Sequence, residues 1–150
     1  MKTIETIPTC TVEVSQIYDY DRETIWRAWV EPEVAAKFLF KTEHGKMKLV
    51  EIDARLNGSF IIIEERNGIN AEHYGRYVKW DFPTELSFNF GPNAENNTSV
   101  SIFFEETGQA CSLKLCHQGV WLEFEDRVRD SWIKALENLR IALDSQHTRS

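Results

Sequence analysis

Residues 122–143, LEFEDRVRDSWIKALENLRIAL, decide the fold. Phe124, Val128, Trp132, Ala135, Leu136, Leu139 and Leu143 recur at spacings of three or four. Together they make one apolar stripe on a 3.6-residue period, as in a helix with one buried face. Glu125, Arg127, Arg129, Asp130, Lys134, Glu137 and Arg140 fall opposite, with Glu125–Arg129 and Asp130–Lys134 at the spacing of surface ion pairs. Such a helix needs a broad apolar partner, and the residues before it read as sheet. A bound molecule is therefore expected between those two layers.

Working backwards, residues 47–120 read as six strands. Asn57-Gly58 is a short-turn signal between strands at 47–55 and 59–65, and Asn67-Gly68 turns into a strand over 72–80. Asp81-Phe82-Pro83 ends that strand, and Leu86, Phe88 and Phe90 mark the next. An exposed loop over 91–97 precedes alternating Val100, Ile102 and Phe104; Thr107-Gly108-Gln109 then turns into Cys111, Leu113, Leu115 and His117. Ahead of these, residues 11–18 alternate with Val12, Val14 and Gln16 on one face. Asp21 is an N-cap for a short helix carrying Ile25, Trp26 and Trp29. Pro32 interrupts and restarts it as a second helix through Val34, Ala35, Phe38 and Leu39. The order predicts one α+β domain over residues 1–150. A curved antiparallel sheet of six to seven strands has two short helices after its first strand and a long C-terminal helix packed across it.

Composition narrows the function. A net charge of −7 without a basic stripe argues against nucleic acid and anionic membrane surfaces. The N-terminus has no apolar signal core and no run is long enough to span a bilayer, so a reducing cytoplasm is the expected compartment. Cys10, Cys111 and Cys116 form no C-x-x-C pair, and the last two point to opposite faces of one strand. Sequons at Asn57, Asn96 and Asn97 are read as chance matches in that compartment. The four histidines have no metal-ligand spacing and there is no phosphate-binding glycine motif, so neither metal nor cofactor is expected.

Nine Phe, five Trp and four Tyr are many for this length. Large flat side chains suit either a sheet–helix core or an apolar pocket, and the sequence leaves both readings open. As a pocket, the lining is Trp29, Phe38, Phe60, Ile62, Tyr77, Phe88, Phe90, Ile102, Leu113, Leu115, Val128 and Trp132, with Gln16, Tyr77 and His117 orienting the ligand. Trp121 belongs with the same aromatic set, and the loops around 40–47 and 91–97 are placed to gate the mouth. Glu64 and His117 share faces with apolar residues; they are either solvated strand ends or the polar end of the cavity. The acid pairs Glu64-Glu65 and Glu105-Glu106, beside turns, are expected to be solvated. An enzyme reading, cyclase- or hydrolase-like with His117 or Glu64 as general base, ranks last because no nucleophile–base–orienter set is legible. An exposed sheet edge can pair two copies or repel them through charge, so monomer and homodimer both stay open.

Four motifs in order resemble one family. Val14 to Glu33 is similar to its strand, turn and V-W-x-A-W-T-x-P-E helices, and Asp53-x-Arg55-x-Asn57-Gly58-x-Phe60 to its D-x-R-x-G-G-x-F hairpin. Gly75-x-Tyr77-x-x-Trp80-x-x-Pro83-x-x-Leu86-x-Phe88 and Trp132 with Leu136 and Leu139 supply the other two. Over residues 12–143 the chain resembles the activators of the heat-shock chaperone ATPase and their bacterial homologues, within the START and birch-pollen-allergen-like helix-grip superfamily. The resemblance implies that fold and either an apolar small-molecule ligand or a heat-shock chaperone partner, with a stress-response role. Departures are Asn57 and Ser131 for glycines, Gln16 for a common arginine and Tyr20-Asp21 for Ala-Pro.

Overall fold

The computed structural model describes residues 8–91 and 98–147. The expected loop beyond Gly91, with its Asn96 and Asn97 sequons, and the N-terminal segment before Pro8 lie outside the described residues.

Among the described residues, seven strands and three helices follow in the order β1 (Thr9–Tyr18), α1 (Arg22–Ala28), α2 (Pro32–Phe38), β2 (Lys46–Ile52), β3 (Ser59–Arg66), β4 (Ile69–Asp81), β5 (Glu85–Gly91), β6 (Thr98–Thr107), β7 (Ala110–Trp121) and α3 (Glu125–His147). Asp21 caps α1 by accepting the Thr24 N–H at 2.9 Å, and Pro32 opens α2 where its missing N–H costs nothing. A single 3-10 turn, Leu122–Phe124, leads into α3.

The sheet is antiparallel throughout, ordered β1-β7-β6-β5-β4-β3-β2, so the first strand pairs with the last. Its concave face is covered by all three helices rather than by α3 alone: α1 lies against β6 and β7, α2 against β2, and α3 against β1, β7 and α2. Trp132, Ala135, Leu136, Leu139 and Leu143 of the stripe are buried, joined by Ala142, while Phe124 and Val128 are half-buried. Glu125 pairs with Arg129 at 3.3 Å as the spacing predicts. Trp121 departs from expectation: it is 46% exposed and stacks on Phe124 outside the core.

Two turns form as read, at Asn67-Gly68 and Gly108-Gln109, with Asn67, Gly68 and Gly108 at positive φ. The β2–β3 connection differs. β2 stops at Ile52, and residues 53–58 form a longer loop that docks on β4, with Asn57 N–H donating to Tyr77 C=O and Tyr77 N–H to Gly58 C=O, both at 2.9 Å. Asn57 has φ 66°, whereas a Cβ on Gly58 would lie 2.1 Å from Asp53 O. The two positions therefore need different things, one a left-handed backbone and the other empty space. Asn57→Gly is expected to stay within about 1 kcal/mol of the parent. Gly58→Ala is expected to lose about 2–3 kcal/mol, because backbone must move to admit it. Urea denaturation of both variants checks this; equal costs would contradict the assignment.

Gly75 has a related role in the sheet. A Cβ there would meet the Phe60 ring at 2.1 Å, so the glycine of the Gly75-x-Tyr77 motif is the floor on which Phe60 lies.

Candidate functional site

Strand register gathers the aromatic residues into rows. Val12, His117, Val100, Phe88 and Tyr77 are successive cross-strand partners from β1 to β4. Phe60, Gly75, Phe90 and Thr98 form the adjacent row. Tyr77 meets Phe60 at 5.6 Å and Phe88 at 6.3 Å between centroids, and Phe90 meets His117 at 5.3 Å. Above them, Trp132 of α3 approaches the His117 ring edge-on at 5.9 Å.

His117 is 6% exposed, so it is no solvated strand end. Its Nδ1 lies 3.0 Å from Trp132 Nε1, which only donates. Nδ1 must therefore be unprotonated, and the proton sits on Nε2, which donates to Thr98 Oγ1 at 2.7 Å. Burial pushes the imidazole pKa down to about 4. With both nitrogens engaged, His117 is committed to fixing Trp132 and Thr98, which argues against a general base.

Glu64 corrects the expectation of a solvated acid: it has no exposed surface. Thr42 donates to it twice, from N–H at 2.7 Å and from Oγ1 at 3.0 Å, and Arg66 Nε at 2.5 Å. A Cβ on Gly45 would fall 2.1 Å from the carboxylate, so the backbone of residues 40–45 lies directly over it. Arg66 also reaches the Phe40 carbonyl at 3.4 Å. Glu64 thus straps the segment between α2 and β2 onto β3. Glu105 and Glu106, by contrast, are exposed as expected.

That strap carries Phe40, which has φ 53°, a backbone region costly for a bulky residue. Its ring stacks on His73 at 4.3 Å and 8°, and lies 4.7 Å from Phe90, 6.2 Å from Phe60 and 6.1 Å from Trp132. His73 is half-buried, its Nδ1–H donates to the Ile62 carbonyl at 3.4 Å, and its pKa is shifted down, chiefly by burial. The half-buried ring of Phe40 lies among these side chains.

The sequence-based lining divides in two. Phe60, Phe90 and Trp132 lie around Phe40, with Tyr77 and Phe88 against Phe60, His117 against Phe90 and Trp132, and Trp29 then Phe38 further along from Trp132. Ile62 sits beside His73 in the β3–β4 pair. Ile102, Leu113 and Leu115 lie on the strands that α1 covers, and Val128 is one turn before Trp132 on α3. Gln16 is half-buried at the other end of the β1–β7 pair, opposite Leu113, while His117 faces Val12. Its Oε1 accepts the Ile17 N–H at 3.3 Å. Gln16, Tyr77 and His117 therefore do not form one polar cluster. Phe40 and Thr42 fall in the loop read as a gate but were given no role of their own, and Arg66 and Thr98 were missed; only the Glu64-x-Arg66 spacing, which puts both side chains on one strand face, was a usable signal.

Open clefts also occur elsewhere among the described residues. One of about 160 Å³ lies among Arg27, Glu31, Val34, Leu143 and His147, and another of about 240 Å³ among Glu51, Asp53, Ser59 and Ile61. Among the described residues, no three His, Cys, Asp or Glu side chains assemble as a metal site. No helix of the described residues is long and apolar enough to cross a membrane.

Residues 19–144 match the family described as Activator of Hsp90 ATPase homolog 1-like protein. The chain belongs to that family. A search of curated proteins found no match. Among solved structures it is similar to a protein of unknown function, SA2116 from Staphylococcus aureus, with 14% identity, 96% of this chain and 100% of that one covered, and a TM-score of 0.83. Protein CV1439 from Chromobacterium violaceum has 19% identity, 87% and 94% coverage and a TM-score of 0.79. An AHSA1-like protein from Aeromonas hydrophila has 15% identity, 91% and 94% coverage and a TM-score of 0.75. At these identities the structures establish the fold, an α+β helix-grip, while family membership rests on the sequence match.

Proposed function

We propose that this family member binds an apolar or aromatic small molecule between α3 and the sheet, in the place that the Phe40 ring occupies. Proteins of this fold commonly bind hydrophobic ligands. The observation that carries the reading here is Phe40 itself. A half-buried ring on a strained backbone is inserted among His73, Phe90, Phe60 and Trp132, held there through Glu64 and Arg66 rather than by belonging to the sheet or a helix. Strain of this kind concentrates where a segment has a second position to adopt. A ligand that displaces the ring inherits an apolar site walled by aromatics, with affinity from burial at about 25 cal/mol per Å². Modulation of a heat-shock chaperone ATPase rests on the family's name alone.

Removing the ring tests this. Phe40→Ala is expected to bind naphthalene-sized aromatics more tightly than the parent, giving a larger rise in unfolding temperature. At a hundredfold excess over Kd the ligand adds about 2.7 kcal/mol. If no apolar compound stabilises either protein, the reading fails.

A further inference from the structure

Trp29 has a buried indole N–H with no hydrogen-bond partner among the described residues. It is 1% exposed at the end of α1, with Phe38 edge-on at 4.9 Å and Trp132 at 6.3 Å between centroids. Three other buried donors of the interior have partners. Trp132 Nε1–H has His117, Trp26 Nε1–H has the Glu85 carbonyl at 3.5 Å, and Tyr18 O–H has the Leu136 carbonyl at 2.8 Å. The other orphan atom, Arg22 Nε, is on a half-buried side chain at the start of α1. Native interiors carry few unpaired buried donors, so one among aromatic walls calls for a partner that arrives from outside the chain.

We propose that the bound molecule is an aromatic bearing a neutral hydrogen-bond acceptor, a ketone, quinone or ester oxygen, and that Trp29 Nε1–H recognises that oxygen. This rests on the reading that an apolar molecule replaces Phe40. Trp132 neighbours both rings, Phe40 at 6.1 Å and Trp29 at 6.3 Å, and a fused-ring molecule along Trp132 is the shape proposed to reach from one to the other. The acceptor is neutral because Phe38 and Trp132 offer no positive charge, and an uncompensated buried carboxylate is costly. Trp29 thereby selects among ligands that the aromatic walls alone would accept equally.

A matched pair of probes tests it: acetonaphthone, with a ketone, and ethylnaphthalene, of the same shape without one. The parent protein is expected to bind the ketone about tenfold more tightly, the worth of one buried hydrogen bond. In Trp29→Phe that preference is expected to vanish while ethylnaphthalene affinity stays within about twofold. Independently, five indole N–H resonances are available in the chain, and the one lost in Trp29→Phe is expected to move downfield with the ketone and not with the hydrocarbon. Equal affinities, or a Trp29 resonance that responds alike to both bound probes, would overturn the acceptor assignment and leave apolar binding intact. A trapped water as the indole's partner would give that second result. Failure of both probes to bind the parent and Phe40→Ala would overturn the binding reading and this inference with it.

Discussion

Glu64→Ala is expected to lower the free energy of unfolding by ~3 kcal/mol, the largest loss foreseen for any single polar side chain here. The substitution removes the acceptor of the Thr42 N–H and hydroxyl and leaves Arg66 without its carboxylate. Arg66 is 37% exposed and Thr42 is exposed too, so both can hydrate, which keeps the loss at the lower end of the range for broken buried pairs. Glu64→Gln preserves shape and one acceptor oxygen, so about 1–2 kcal/mol is expected. Beyond stability, the backbone N–H groups of residues 40–45 are expected to exchange faster with solvent in Glu64→Ala, while those of α3 change only with global stability. An alanine variant with parental exchange in that segment would show that something other than Glu64 holds the strap.

Acidification is expected to have a comparable effect. His117 has a folded-state pKa of about 4 against an ordinary 6.5, because burial disfavours the charged ring. The unfolded chain therefore binds a proton, between those values, that the folded protein refuses. Stability is complete above pH 6.5 and falls as pH drops toward 4, by ~3 kcal/mol in all. His73 is shifted in the same direction and adds to the slope. His117→Gln, whose amide can accept from Trp132 and donate to Thr98, is expected to flatten most of the loss between pH 6.5 and 4. Urea titrations of parent and variant across that window decide it; identical slopes would mean that the titrating group is not His117.

These two residues also show where sequence reading succeeds and stops. The α3 stripe was legible because a helix buries every third or fourth residue regardless of what it packs against. Its first turn was not: Leu122–Phe124 is 3-10, which rotates Phe124 partly out of the stripe and leaves Trp121 outside the core. Alternation placed His117 inward correctly, but its bonds to Trp132 and Thr98 span 15 and 19 residues and needed the register of β6 on β7. Alternation put Glu64 on the face of Phe60 and Ile62 as well, but as half of an acid pair beside a turn it was also read as solvated. What buries it is the segment at 40–45, and no local pattern announces that a loop will fold over a carboxylate 22 residues further on. Phe40 was hidden for the same reason: a single aromatic after a short helix has no periodicity to reveal which way it points. Gln16 was assigned the right face and the wrong neighbourhood, since alternation gives a side and only pairing gives a position along it.

The pairing of β1 with β7 brings Thr9 opposite Trp121. Because the strand synthesised first must wait for the strand synthesised last, the sheet cannot finish while the chain is still emerging. Contacts this distant in sequence slow the search for the native topology. Until β7 arrives, α1 lacks one of the two strands it covers, and α3, the main cover of the β1–β7 end, has yet to be made. An N-terminal fragment ending before β7 is accordingly expected to expose its aromatic residues and to need a holding chaperone during biosynthesis.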